Sequence, residues 1–148
     1  MRRAYPVGIA TTMRLIDNHL DDRSLSDYLA RLLPMAGEAC IQVAYLRVSG
    51  IELLREPLSE LARRGGRLRL LTCGDFSQTE PEALRFLREL GGRTEVRMVS
   101  SSGLQGFHPK CYLLTTGRYS VLVVGSSNFT GGGLRDNVEL NLALELPV

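Results

Sequence analysis

Residues 107–128 read FHPKCYLLTTGRYSVLVVGSSN, and this stretch decides much of the fold. The segments 107–114 and 119–124 are apolar, rich in β-branched and aromatic residues, and short enough to be strands. The four residues between them include Gly117, as expected for the loop of a hairpin. Pro109 has no backbone donor, so His108 and Lys110 are expected at the start of a strand or at a bulge. Their spacing of two places both side chains on one face.

The chain before this hairpin alternates between helical and strand patterns. Apolar residues at helical spacing predict helices over 25–36, 49–63 and from Pro81 to the glycine pair 91–92. Ser24 or Ser26 is expected to cap the first of them. Short apolar stretches predict strands over 39–46, 67–72 and 95–99, and a last strand over 137–146. The order predicts an α/β fold, a mixed sheet flanked by helices, in a single domain that covers residues 1–148.

Composition excludes several classes of protein. Apolar residues make up 44% and charged residues 23% of the 148 residues, which is ordinary for a globular domain. The apolar runs are too short to cross a membrane, and no apolar region follows the basic start, so we expect a cytoplasmic protein without a membrane partner. Three widely spaced cysteines are expected to be free thiols. The chain ends within an apolar strand, which leaves open that it is a piece of a longer protein.

Three groups of residues could carry chemistry. Lys110 is the one lysine among eighteen basic residues and lies two positions from one of two histidines. An imidazole can act as a nucleophile or acid/base, and an ammonium can neutralise a phosphate oxygen, although such a pair also occurs on ordinary surfaces. The second group follows a strand and offers a glycine turn and neutral donors, or is simply a turn. It comprises Gly125, Ser126, Ser127 and Asn128. The third group is Glu139 with Asn141, on the polar face predicted for the last strand.

In this order the groups resemble the HKD signature of the phospholipase D superfamily, in which His-x-Lys is followed by Gly-Ser-x-Asn. The Asp of the family pattern falls on Thr115 here, and the run to Gly125 is three residues longer. A branch of small bacterial nucleases and related restriction endonucleases is similar, since it often lacks that Asp and carries a Glu downstream of the Asn. Glu139 occupies the matching position.

The resemblance implies a metal-independent phosphodiesterase without a cofactor, a DNA-cleaving nuclease acting through a phosphohistidine. The implied catalytic residues are His108, Lys110, Asn128 and Glu139, and the implied phosphate-binding residues are Gly125, Ser126 and Ser127. Whether Glu139 replaces the missing Asp is open.

The mechanism needs two histidines, and His19 has no partner lysine, so it is expected to be a surface or helix-capping residue. The protein is therefore expected to form a homodimer that shares one active site. Two alternatives remain: a catalytically silent dimerisation or nucleic-acid-binding module of a helicase or restriction system, and a phospholipid phosphodiesterase. Arginines could flank a nucleic-acid groove or lie on a solvated face; they are at positions 63, 64, 67, 69, 93 and 97.

Overall fold

The computed structural model describes residues 12–19, 24–74, 77–100 and 106–147. Within these residues the chain forms a seven-stranded sheet and three α-helices. The strands are β1 (Thr12–Ile16), β2 (Glu38–Val43), β3 (Arg67–Cys73), β4 (Arg93–Val99), β5 (Lys110–Thr115), β6 (Tyr119–Gly125) and β7 (Asn141–Pro147). The helices are α1 (Leu25–Leu32), α2 (Val48–Arg63) and α3 (Pro81–Glu89). The predicted α/β fold with a mixed sheet flanked by helices is confirmed.

Two of the three helices, α1 and α3, begin where local chemistry favours a helix start. Ser24 caps α1, because its hydroxyl accepts the backbone N–H of Asp27 at 3.1 Å. The end of that predicted helix is a 3-10 turn, Leu33–Met35, which contains Pro34. Pro81 stands in the first turn of α3, where its missing donor costs nothing. The predicted helix boundaries are therefore confirmed to within a few residues.

The sheet has the order β1-β7-β6-β5-β2-β3-β4. Strands β2, β3 and β4 are parallel, and the remaining pairs are antiparallel. Both parallel crossovers step in the same direction along the sheet, so the right-handed rule puts α2 and α3 on the same face. Under the helices lie the core residues of the strands, such as Ile41, Leu70, Tyr112 and Val123. Residues of the opposite parity, such as Cys40 and Leu122, are only partly buried.

Strand β2 ends at Val43, three residues before the predicted end, and two strand starts near the site also differ from the prediction. Strand β5 begins at Lys110, so His108 and Pro109 precede it. Strand β7 begins at Asn141, so residues 137–140 form an approach to the strand, and the predicted shared polar face of Glu139 and Asn141 is wrong. Glu139 donates its backbone N–H to Asp17 O, just beyond β1, at 3.2 Å.

The glycine-rich segment that follows Asn128 is largely helical. Gly131 opens a short helical turn that continues as a π-helical turn, Gly132–Asp136. Cys73 is buried, Cys40 and Cys111 are half-buried, and all three are free thiols as predicted. Among the described residues, no helix has the length and apolar character that crossing a bilayer requires.

Candidate active site

The predicted site residues lie together at one edge of the sheet, the edge at which β2 and β6 end and β5 and β7 begin. In the ladder of β2 and β5, Val43 at the end of β2 pairs with Lys110 at the start of β5. In the ladder of β6 and β7, Gly125 at the end of β6 pairs with Asn141 at the start of β7. The antiparallel order thus brings the segment before β5, the segment after β6 and the segment before β7 to the same edge. That placement brings together residues that are far apart in sequence, since His108 and Glu139 are thirty-one positions apart.

His108 and Lys110 are in direct contact. The Lys110 ammonium lies 2.6 Å from Nδ1 and 3.0 Å from Nε2 of His108, and it also donates to the His108 carbonyl at 3.2 Å. The lone pair of a neutral imidazole lies on one ring nitrogen, so the ammonium can donate to one of the two at a time. His108 is exposed at this edge and therefore open to a substrate.

The Tyr45 ring also packs against the imidazole of His108. The two rings pack edge to face, with centroids 5.7 Å apart and planes inclined at 76°. The backbone N–H of Tyr45 also donates to Asn128 Oδ1 at 3.1 Å. Tyr45 lies just beyond β2 and is absent from the sequence prediction, because only the sheet order places the end of β2 beside His108.

Asn128 has a defined orientation. Its Oδ1 accepts from Tyr45, and no partner for Nδ2 is present in the described parts of the chain, so two donors remain for a ligand. Gly133 packs against its backbone so closely that an added Cβ would lie 2.4 Å from Asn128 O. The glycine-rich π-helical turn therefore supports the Asn128 backbone.

Glu139 and Ser126 are hydrogen-bonded to each other at the same edge of the sheet. The Ser126 hydroxyl donates a short hydrogen bond to Glu139 Oε2, and Asn137 Nδ2 donates to Oε1 at 3.5 Å. The same hydroxyl accepts the backbone N–H of Leu140 at 3.0 Å. His108 and Glu139 are both described residues, and no hydrogen bond joins them. In the free chain Lys110, and not Glu139, contacts the imidazole.

The second serine is part of the buried support. Ser127 is 0% exposed, and its hydroxyl accepts from Asn141 Nδ2 at 2.9 Å. Its carbonyl accepts from the buried Tyr112 hydroxyl at 2.9 Å. The burial contradicts a direct phosphate contact for the Ser127 hydroxyl, because alternate side chains of a segment leaving a strand point inward and outward. Ser126 is the exposed member of the pair.

Burial and charge shift two pKa values at this edge. Partial burial lowers the pKa of Lys110, and the nearby Glu139 carboxylate opposes part of that shift. Burial raises the pKa of Tyr112 well above its usual value, and Glu139 adds to the effect, so this hydroxyl stays protonated and acts as a donor.

A cleft of about 300 Å³ opens beside these residues. Its lining is mostly polar and includes side chains that the sequence interpretation did not single out. The lining side chains include Tyr45, Arg47, Ser49, Gln78, Asn128, Asn137 and Glu139.

The other candidates from the sequence lie apart from this cleft. Arg67 begins β3 beside Glu38, at the end of the sheet opposite to Lys110. It is paired with Glu95, and Arg69 is paired with Glu38, so the suggestion that these two flank the site is wrong. His19 is exposed, as predicted for a surface residue, and Ser24 provides the helix cap instead.

Many solved structures share the fold, and three of them illustrate the range. NucT from Helicobacter pylori superposes with a TM-score of 0.70 at 15% identity, covering 90% of this chain and 85% of NucT. Nuc from Salmonella typhimurium, a phospholipase D family member, gives 0.64 at 11% identity, with 93% and 84% covered. The phosphatidylserine synthase of Haemophilus influenzae gives 0.69 at 17% identity, with 96% of this chain but 36% of that enzyme covered.

At these identities the likeness shows the fold alone. No curated protein matches the sequence. A family model described as "Cardiolipin synthase, PLD-like domain" matches residues 30–147, which include every predicted site residue. The chain therefore belongs to the phospholipase D-like family.

Proposed function

We propose that this protein is a metal-independent nuclease that cleaves DNA phosphodiester bonds through a phosphohistidine intermediate. The observation that carries the proposal is the contact of His108 with Lys110 at the same sheet edge as Asn128 and Glu139. A nucleophile, a cation and a neutral donor are what a displacement at phosphorus requires of a protein.

The first step follows from the contact of Lys110 with the ring nitrogens. In the free site the ammonium occupies the imidazole lone pair that would attack. A bound phosphodiester draws the ammonium onto its nonbridging oxygens, which frees the ring nitrogen. That nitrogen forms a P–N bond while the P–O bond to the leaving group breaks. The Asn128 amide stabilises the negative charge on the equatorial oxygens, and a second imidazole donates a proton to the leaving oxygen.

The second step reverses the roles. The imidazole that has lost its proton takes one from a water molecule, and the resulting hydroxide attacks phosphorus. The P–N bond then breaks and His108 is restored. In the free site the Ser126 hydroxyl donates to Glu139; binding of the phosphate by Ser126 and orientation of His108 by Glu139 both stay predictions.

We propose that a second copy of the chain supplies the second imidazole. The residues on both sides of Glu139 support this, because Val138 is 76% and Leu140 62% exposed despite their apolar side chains. Met13 and Leu15 on the neighbouring edge strand β1 are also exposed, so the apolar surface extends from the site along the sheet. Burying this surface in a two-fold contact would bring two copies of the site edge together.

Nucleic acid is favoured over phospholipid by the cleft. The fold is shared with a phosphatidylserine synthase, so the fold alone does not distinguish nucleic acid from phospholipid as the substrate. The cleft beside His108 is lined mainly by polar side chains and contains a cation, Arg47, which suits a charged polymer better than acyl chains.

The test is cleavage of labelled single- and double-stranded DNA in excess EDTA. The wild-type chain is expected to cut, and His108→Ala to reduce the rate by at least about 10³-fold, as expected when a nucleophile is removed. His19→Ala is the matched control, since it removes the other histidine from an exposed position. Loss of cutting in EDTA, or a His108→Ala variant as active as His19→Ala, would overturn the proposal. Turnover of phosphatidylglycerol vesicles without DNA cleavage would assign the site to lipids.

A further inference from the structure

Arg47 occupies a position that local chemistry does not favour for an arginine. It is the N-cap residue of α2, with an extended backbone and no capping hydrogen bond from its side chain. Ser, Thr, Asp and Asn are preferred at this position, and a cation beside the positive end of a helix is electrostatically unfavourable. A residue that breaks a local rule without a local benefit indicates a role beyond the helix itself.

Glu80 performs the capping in its place. Its carboxylate accepts the backbone N–H of Val48, the first residue of α2, at 2.7 Å. The backbone N–H of Glu80 in turn donates to Leu46 O at 2.9 Å, which holds the two segments together. Because a residue from another segment caps α2, position 47 is free to carry a side chain for another purpose.

The Arg47 side chain contacts a neutral partner. Its guanidinium donates a short hydrogen bond to the neutral amide oxygen of Gln78, and within the described residues no carboxylate lies in ion-pair range. In contrast, Arg55, Arg63, Arg67 and Arg69 each pair with a glutamate. Arg47 lines the cleft of about 300 Å³ that also contains Asn128. Glu139 also lines this cleft but forms no ion pair with Arg47, so the half-buried guanidinium is suited to bind an anion.

The backbone places Arg47 close to the reacting group. Tyr45 contacts the His108 ring, and Arg47 follows two residues later, about 7 Å along an extended chain. The Arg47 N–H donates to Phe129 O at 3.0 Å. Phe129 directly follows Asn128, so this bond joins the segment of Arg47 to the segment of Asn128. An anion bound by Arg47 would thus lie next to an anion bound by Lys110 and Asn128, and the two anions would contact different side chains.

We propose that Arg47 binds the phosphate next to the scissile one, so that the site selects polynucleotides over isolated phosphodiesters. The inference rests on the proposed nuclease function and adds its substrate class. The neutral donors around Arg47, including Ser49 and Asn137, would accommodate the sugar between the two phosphates. A phospholipid with a single phosphodiester could not use this subsite.

The experiment compares two substrates that differ in the number of phosphates. A single-stranded decanucleotide has phosphates on both sides of most scissile bonds, and a dinucleoside monophosphate has none. We expect Arg47→Ala to lower kcat/KM for the decanucleotide by about 10- to 100-fold. The loss for the dinucleoside monophosphate should be smaller than this by a factor of about ten or more. The slope of log affinity against log salt for the decanucleotide should become shallower by about 0.7. Arg47→Lys should recover part of the loss.

Arg118→Ala is the matched control. Arg118 is exposed in the loop between β5 and β6, at the far end of the sheet, and its replacement removes the same charge. Equal losses on the two substrates, or an Arg47→Ala variant that behaves like Arg118→Ala, would overturn the subsite.

Failure of the proposed nuclease function gives a different pattern, because the wild-type chain would then cleave neither substrate. The subsite is still decided in that case by anisotropy with the labelled decanucleotide. Arg47→Ala, and not Arg118→Ala, must then weaken binding and flatten its salt dependence; unchanged binding refutes the subsite.

Discussion

Gly125 is the position where one methyl group should damage both the fold and the site. It ends β6 opposite Asn141, and a Cβ added there would lie 2.3 Å from Leu140 O, 2.5 Å from Asn141 Oδ1 and 2.6 Å from Asn141 Cα. Ordinary contacts begin at 3.4 Å, so relief of the first contact alone needs a shift of about 1.1 Å, the difference between 3.4 and 2.3 Å. Two of the three atoms belong to the backbone of β7 and its approach, and no rotamer change can move them away.

The magnitude follows from that geometry. Overpacking in a well-packed interior typically costs about 1–3 kcal/mol, and the rigid neighbours place Gly125→Ala in the upper half, about 2–3 kcal/mol. For a chain of this size that is a fall in Tm of about 4–12 °C. A shift of about 1 Å at the end of β6 also moves Ser126 and Asn128, and such a misplacement can cost about 10²-fold in rate.

The assay uses Gly117→Ala as the control within the same hairpin. Gly117 lies in the loop before β6, and an added Cβ there meets nothing within 4 Å. Its replacement should change stability by less than about 1 kcal/mol, in either direction. Thermal unfolding followed by circular dichroism, together with DNA cleavage, measures both effects. If Gly125→Ala matched Gly117→Ala in Tm and in rate, the close approach of β6 and β7 at this edge would be refuted.

Three further predictions concern the support, the cation and the dimer. Tyr112→Phe leaves a buried carbonyl without its donor and should lower the free energy of unfolding by about 1–3 kcal/mol in urea titration; a change below about 0.5 kcal/mol would contradict the bond. Because burial lowers the pKa of Lys110, activity that needs its ammonium is present at lower pH and is lost as pH rises through a value below 10.5. Lys110→Arg should move this alkaline limb of kcat/KM upward, and an unmoved limb would assign it to another group. Val138→Glu with Leu140→Glu should halve the mass measured by light scattering and abolish cleavage, whereas Met35→Glu, at another exposed apolar residue, should leave a dimer.

The periodicity of apolar residues was sufficient to predict most of the secondary structure. The helices over α1, α2 and α3 were predictable because each buries one apolar stripe against the sheet, and their starts carry Ser24 or Pro81. The hairpin of β5 and β6 was predictable because both strands are short and apolar around a glycine loop. The contact of His108 with Lys110 also follows from the chain, since the two residues are only two positions apart.

Strand β1 was missed for a physical reason. Its first four residues are exposed and only Ile16 is buried, so the alternation that identifies a half-buried strand is absent. Among the described strands it lies at the edge of the sheet and pairs only with β7, and its identity depends on that partner.

The chain alone determined the helices, the hairpin and which residues could carry phosphodiester chemistry, because these depend on neighbours within a few positions. Only the tertiary structure decided which of them meet. The alternation in residues 138–145 suggested one continuous strand, but pairing with Gly125 begins at Asn141, which buries Asn141 and leaves Glu139 free to bond Ser126. Tyr45 and Arg47 entered the site because β2 lies beside β5 in the sheet, and strand order is set by packing over the whole chain.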